Sequence, residues 1–526
     1  MKKTIIHNIL FISVALMLFS ACMETVSDAK QETAQPNIYP DYIGVTIPVN
    51  IAPLNFNMAD EKSLLVDAVM TDSHGNSLHS QGEESVDFDI DDWHQLLAQN
   101  TGDSLTVTVS AKYEDGWHTY RPFSIYVSPD SIDYGLCYRL IAPGYEVWSK
   151  MGIYERDLSS FDERALIENT QFEGCVNCHS FNRGNPADMS LHIRGPHGAT
   201  LLRHNDSPLI AYNTKTDQTL GLCVYPYWHP SGRYIAYSTN TTRQLFHSAD
   251  PNRIEVFDEA SDIQVYDVEK NELILSPLVK QDSVYETFPV FSADGRSLYF
   301  CKSVEFRVDS VEVKLNSLRY NLCRIDFDPV TGTFGDHIET IVDAASQQKS
   351  ISFPRPSYDG RFLCYTLSDY GQFSIWHHEA DLWLLDLEKA AADSCVPSVA
   401  SDQRSSASLF TLHSSLKNSP MTGANSDDTE SFHNWSSNSR WLVLSSRRDD
   451  GLFTRPYFCH VDDHGVVTKA FMLPQRNPRR FYRDRFLSFN VPEFIIAPTH
   501  FDGRKASRII NDDSRKNFGV RQAPAL

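Results

Sequence analysis

The chain of 526 residues lacks the patterns that announce most enzyme classes. There is no Gly-x-Ser-x-Gly elbow, no His-Glu-x-x-His pair, no Gly-rich phosphate loop and no EF-hand loop. Hydrolase, zincin, nucleotide and calcium readings therefore have no support. Basic residues are few: 47 Lys+Arg stand against 68 Asp+Glu, a formal net charge of −21. A surface of that sign repels nucleic acid and has no electrostatic grip on anionic lipid. Only one Cys-x-x-Cys exists, so half of a four-ligand zinc site is missing. Seven further cysteines (137, 223, 301, 323, 364, 395 and 459) show no framework spacing, and connectivity among them is not derivable.

Aromatics are plentiful at 12%, within a hydrophobic fraction of 41%. That composition belongs to a folded chain with ample core. Val, Ile, Tyr and Phe recur beside Asp-Gly and Gly-Asn turns, which predicts mostly β structure.

The most informative stretch is Cys175-Val176-Asn177-Cys178-His179. Two thiols separated by two residues, with a histidine next, form the attachment pattern for c-type haem. Each thiol can add to one vinyl group, and the adjacent imidazole can bind the iron from below. Cys175 and Cys178 are thus the candidate covalent haem anchors and His179 the candidate proximal ligand. Three alternatives stay open: a thioredoxin-like redox couple, which needs a strand-to-helix context not evident here; half of a zinc site; and a structural disulfide. The iron's other face could be met by Met189 first, then His192 and His197, with Met151 behind. Met would raise the potential, His would lower it, and an open position would allow ligand chemistry. Arg183 and Arg194 are candidate partners for the haem propionates, because a guanidinium forks onto a carboxylate.

Residues 1–22 read as a targeting segment. Lys2 and Lys3 precede an apolar run, Ile9 to Phe19, that is short for a membrane span. It ends in Phe19-Ser20-Ala21-Cys22, which resembles the lipobox of bacterial lipoproteins, with Phe19 where Leu is usual. The resemblance implies cleavage before Cys22 and acylation of that cysteine, which becomes the lipid anchor. An ordinary signal peptide or an uncleaved anchor is the alternative. Either route takes the chain out of the cytoplasm, and covalent haem c is assembled outside the bacterial cytoplasm. Residues 23–40 form a polar tether.

Residues 41–129 carry short apolar runs bounded by turns and predict a β-sandwich of immunoglobulin or fibronectin type. Leu105 to Val109 alternates as a half-buried strand should. Asp91 to Leu97 has helical spacing behind an acidic start. Residues 130–199 read as irregular, with helical turns expected at Tyr145–Met151 and Asp162–Asn169.

From about 200 the chain repeats. Trp228-His-Pro-Ser231-Gly232-Arg233, Phe291-Ser-Ala-Asp294-Gly295-Arg296 and Pro356-Ser-Tyr-Asp359-Gly360-Arg361 are three copies, and Trp435-Ser-Ser-Asn438-Ser439-Arg440 is a weaker fourth. Each is a strand, a tight turn and an alternating strand, with glycine where the turn needs positive φ. The motif resembles the propeller repeat of the periplasmic TolB family and covers about residues 200–500. The resemblance implies a β-propeller of four-stranded blades, six expected and seven the runner-up, with an insert at Ser394–Glu430. The tail, 501–526, is basic and reads as a loose extension or a ring-closing strand. Lipobox, sandwich, haem motif and propeller together resemble lipoproteins of Bacteroides-type bacteria, favouring the outer membrane.

The resulting expectation is an all-β, membrane-anchored, extracytoplasmic monohaem c-type protein. It would pass electrons to a protein partner docked on the propeller, with nothing that requires an enzyme. Two other readings stand beside it: a propeller binding module for protein or glycan with a structural cysteine pair, and a haem enzyme with an open distal site. His377-His378 could in principle bind metal, but neighbours on a strand point to opposite faces.

Overall fold

The computed structural model describes residues 23–143, 150–304, 315–387 and 417–522. Cys22 lies outside the described residues, as do most of the helical turn expected at Tyr145–Met151 and most of the insert expected at 394–430. Six sheets form the blades of a propeller. In chain order, blades 2 to 6 begin with the inner strands Cys175–Asn182, Val224–Trp228, Glu286–Phe291, Ser350–Pro356 and Glu430–Trp435. Blade 1 is a composite. Gly135–Ile141, Gly152–Asp157 and Glu163–Glu168 supply three strands, and Ser488–Ile495 returns from the far end of the chain as its inner strand. The inner strands neighbour one another around a closed ring. Closure removes the free sheet edges that an open array would leave.

The expected irregular segment over 130–199 is therefore corrected. It holds blade 1's three outer strands and the first strands of blade 2. The expected helix at Asp162–Asn169 is the strand Glu163–Glu168, because pairing with Gly152–Asp157 outweighs helix propensity. The described part of the tail, through Gln522, is neither loose nor the ring closure. It forms a helix, Gly503–Asn511, then short strands that add in parallel to the outer edges of blades 2 and 3.

Turn chemistry explains the repeat. Gly232, Gly295 and Gly360 sit at φ +75°, +73° and +81°, where a side chain is strained. An alanine at 295 would place its Cβ 2.0 Å from His229 Nε2. Ser439 adopts φ +60° without glycine's freedom, and its hydroxyl accepts a hydrogen bond from Asp359 N in the neighbouring blade (3.0 Å). The structure adds a fifth copy that the sequence pattern hid: Cys178-His179-Ser180-Phe181-Asn182-Arg183-Gly184, with Gly184 at φ +74°.

The N-terminal unit holds a seven-stranded mixed sheet and a separate two-stranded one, Ile38–Tyr39 with Asn57–Met58. Its strand Ser104–Tyr113 buries Leu105, Val107 and Val109. The helix Ile90–Gln99 is capped by Asp89, whose carboxylate accepts from Asp91 N and Asp92 N. It buries Trp93, Leu96 and Leu97. This unit shares a continuous hydrophobic core with blades 1, 5 and 6. Trp441 Nε1 donates to Asp130 O (3.0 Å), and Tyr42 OH donates to Met472 O (3.4 Å), so the two units are locked by buried polar contacts as well.

Candidate functional site: the central cavity

Each inner strand carries a β-bulge at the same place. In blade 2 the register slips between Val176 and His179; in blade 3 between Val224 and Tyr227; in blade 5 between Ser352 and Arg355; in blade 6 between Ser431 and Asn434. A bulge inserts one residue and re-aims the side chains after it. In five blades the first bulged residue is left-handed without being glycine: Tyr225, Phe288, Phe353, Phe432 and Val491, all between φ +47° and +53°. Such strain persists only where the surroundings enforce it. In four of them proline follows. Blade 2 is the exception: Asn177 is not left-handed, and Cys178 stands where those blades have proline.

This bulge answers how two thiols three residues apart on a strand can meet. On a flat strand, positions 175 and 178 face opposite ways. With the bulge between them, Cys175, Cys178 and His179 all line one cavity of about 380 Å³ at the propeller's centre. That size lies within the range of small-molecule and cofactor sites. Both thiols are partly accessible and unpaired. Tyr225, Phe353 and Phe432 form its aromatic wall, backed by Phe288, whose ring centroid lies 4.6 Å from Tyr225 and 4.2 Å from Phe353.

His179 is buried. Its Nε2–H donates to the Cys137 carbonyl of blade 1 (3.2 Å), while Nδ1 is buried with no hydrogen-bond partner. Burial pushes the imidazole pKa down to about 4, so the ring is neutral at pH 7 and Nδ1 carries a lone pair. His433, across the wall, repeats the arrangement: Nε2–H to Cys364 O (3.0 Å), Nδ1 unpartnered, pKa pushed down to about 3 by burial.

None of the expected sixth ligands reaches the cavity. Met189 is a core residue on the second strand of blade 2, paired in register with Phe181. His192 is buried behind the same strand, 3.3 Å from Thr200 Oγ1. His197 pairs with Asp513 (2.8 Å) on the surface, and Met151 is buried at the start of blade 1's third strand. Met189 and His192 belong to the second strand of blade 2, Asn185–Arg194, outside the ring of inner strands at the cavity. Arg183 is likewise elsewhere, bonded to Ala293 O and stacked near Tyr358. Arg194 does line the cavity.

Sequence reading missed Arg139, Arg243, Arg355 and Glu493, which also line it. A usable signal existed. Arg355 and Glu493 hold the position after the bulge that His179 holds in blade 2, so aligning the six inner strands by their bulges brings them together. Glu493 accepts from Phe181 N (2.9 Å), and burial raises its pKa to about 8, which leaves it largely uncharged at pH 7.

A long hairpin of blade 3, Tyr234–Phe246 with Ile254–Asp267, leaves its sheet and crosses one end of the cavity. Thr242, Arg243, Gln244 and Val256 of this hairpin line the cavity. Its tip is fastened to blade 5. Glu255 Oε2 lies 3.2 Å from His377 Nε2, Glu255 Oε1 accepts from Tyr370 OH, and Asn252 Oδ1 accepts from His378 N (3.1 Å). His377 Nδ1 lies 3.3 Å from Glu379 Oε1 without hydrogen-bond geometry, so Glu255 is its principal partner. Burial opposes the charge on His377, but the two carboxylates prevail and raise its pKa to about 9. The adjacent histidines thus serve the hairpin's attachment. Among the described residues no three His, Cys, Asp or Glu side chains converge as a metal ion held by protein alone would require.

No protein-family model matches the chain, and no curated protein does. Solved structures do match. Kuenenia stuttgartiensis hydrazine synthase aligns at 10% identity and TM-score 0.33, over 65% of this chain and 88% of that one. Prolyl oligopeptidase B from Galerina marginata aligns at 10% identity and TM-score 0.32, over 69% of this chain but only 42% of its own. A DUF4784 family protein from Bacteroides caccae aligns at 8% identity and TM-score 0.25, over 68% and 94%. These likenesses are loose, and the six-bladed β-propeller rests on the chain's own sheets.

Proposed function

We propose that the chain is an extracytoplasmic c-type haem protein whose central cavity is the haem site. The supporting observation is the bulge of blade 2, which turns Cys175, Cys178 and His179 toward one cavity. The residues fit the group. Two unpaired thiols share the cavity with an aromatic wall, and a buried imidazole nitrogen lacks a partner. Arg194 is available to a propionate. Bound there, haem would supply one-electron or ligand-binding chemistry at iron. The protein's part is to hold it by two thioethers, keep His179 neutral and shield the site beneath the hairpin. Lipid attachment at Cys22, favouring the outer membrane, completes the proposal. A partner protein would exchange electrons at the propeller face.

One observation favours a second reading, a haem enzyme. Met189, His192, His197 and Met151 all lie outside the cavity wall, so none of them would fill the sixth position on iron, and among the histidines of the wall only His433 is left to do so. Expression with the cytochrome maturation machinery tests both. Covalent haem, seen as a mass increase and a spectrum that survive acid-acetone, is expected in the wild type and lost in Cys175→Ala/Cys178→Ala. Carbon monoxide shifting the reduced spectrum would favour the open site, and no shift would favour electron transfer. A colourless product of unmodified mass would refute the haem reading altogether.

A further inference from the structure

The arginines of the cavity are a feature apart from the cysteine motif. Arg139, Arg194, Arg243 and Arg355 converge on it from blades 1, 2, 3 and 5, in a chain that is strongly acidic overall. Among the described residues only Arg243 has a carboxylate partner, Glu259 at 2.8 Å. Arg139 donates to the neutral Asn177 side chain, and its Nε is buried without a partner. Arg355 donates to Pro354 O (2.9 Å) and lies over the Tyr227 ring at 5.6 Å. The carboxyl within the wall, Glu493, accepts from Phe181 N (2.9 Å) and makes no ion pair with these four arginines. For Arg139 and Arg355, which are half-buried, a guanidinium without an ion-pair partner is costly. A bound anion relieves that cost, and bidentate geometry suits carboxylates above all.

We infer that this cavity is a binding site for a ligand bearing two carboxylates, held by Arg139, Arg194 and Arg355 and covered by the blade-3 hairpin through Arg243. The inference goes beyond the thioether link and does not need it. Two ligands share the chemistry: a tetrapyrrole, through its propionates, and a small free dicarboxylate. The aromatic wall suits the first, and the arginines alone suit the second.

The test uses the full chain carrying Cys175→Ser and Cys178→Ser, so that no covalent link can form. Metal-free protoporphyrin IX, its dimethyl ester and succinate are the probes, followed by tryptophan fluorescence and calorimetry. Protoporphyrin IX is expected to bind about tenfold or more tightly than the diester, the factor that 1.4 kcal/mol of lost charge pairing gives. Arg194→Gln should weaken diacid binding severalfold and leave diester binding unchanged. Arg194 is exposed at the rim, so this variant keeps the fold even if Arg355→Gln, which unstacks Tyr227, does not. Succinate binding without porphyrin binding would assign the site to small dicarboxylates. Equal binding of diacid and diester, or no binding of any probe, overturns the inference. Because the cysteines are absent from this experiment, its failure leaves the covalent haem reading standing, and the reverse also holds.

Discussion

Replacing Glu255 by Gln should loosen the hairpin over the cavity without touching the cavity wall. The Glu255 and His377 side chains are only 4% and 2% exposed, and they join segments of blades 3 and 5 that blade 4 separates. Removing one partner of a buried pair leaves the other charge uncompensated, at about 3–5 kcal/mol. Glu379 stays close to His377 and restores part of the loss, which sets the expectation near the lower figure. A cost of about 3 kcal/mol raises the opening equilibrium of the tip by about 150-fold. Arg253 is exposed in the tip loop, so trypsin cleavage after Arg253, followed by mass spectrometry, reports opening when reclosing is fast. The pH dependence has a definite sign. The folded pKa of His377, about 9, lies above its ordinary value of 6.5. Its contribution is complete below about pH 6.5 and is lost as pH rises through 9. Wild-type nicking, normalised to a peptide control, should therefore accelerate as pH rises from about 6.5 to 9 and level off above that, and Glu255→Gln should be fast throughout. Equal nicking of the two proteins at pH 7 would sink the argument that this pair fastens the hairpin.

Glu493 and Glu286 both have pKa values raised to about 8 by burial. The folded state then holds more protons than the unfolded state between about pH 4.5 and 8, so stability falls as pH climbs through that window. Glu493→Gln keeps an oxygen for Phe181 N and should flatten part of this slope in denaturant titrations from pH 5 to 8; an unchanged slope contradicts the assignment. Gly295→Ala should destabilise by more than about 1 kcal/mol, because positive φ and the contact with His229 both oppose a Cβ; a melting curve like the wild type's would show that the turn relaxes freely. Trp93→Ala empties a fully buried site in the N-terminal core and should cost about 3–5 kcal/mol in chemical denaturation. Met189→Leu should leave the spectrum of haem-loaded protein unchanged, since Met189 packs in the core behind the cavity strand; a shifted spectrum would return Met189 to the site.

The repeat was legible because it is local. A tight turn needs a residue that tolerates positive φ, and Gly232, Gly295 and Gly360 announce it within a few positions of an alternating strand. The same rule hid the copy at Gly184, where Asn185 follows the glycine in place of the Arg that follows the turn residue in the other four copies. The helix at Ile90–Gln99 was legible for the same reason, through its acidic cap and the spacing of Trp93, Leu96 and Leu97. Glu163–Glu168 was misread because its helix-forming composition carries no trace of the partner strand that claims it.

Sequence alone thus determined the β character, the propeller repeat and the candidate chemistry of Cys175, Cys178 and His179, since each depends on residues adjacent in the chain. Tertiary structure alone decided which residues share the cavity. Arg139, Arg355, His433 and Glu493 are far apart in the chain and meet because six bulged strands close into a ring. Ring closure itself depends on Ser488–Ile495 pairing with Gly135–Ile141 across most of the polypeptide, a long-range contact that no local pattern encodes.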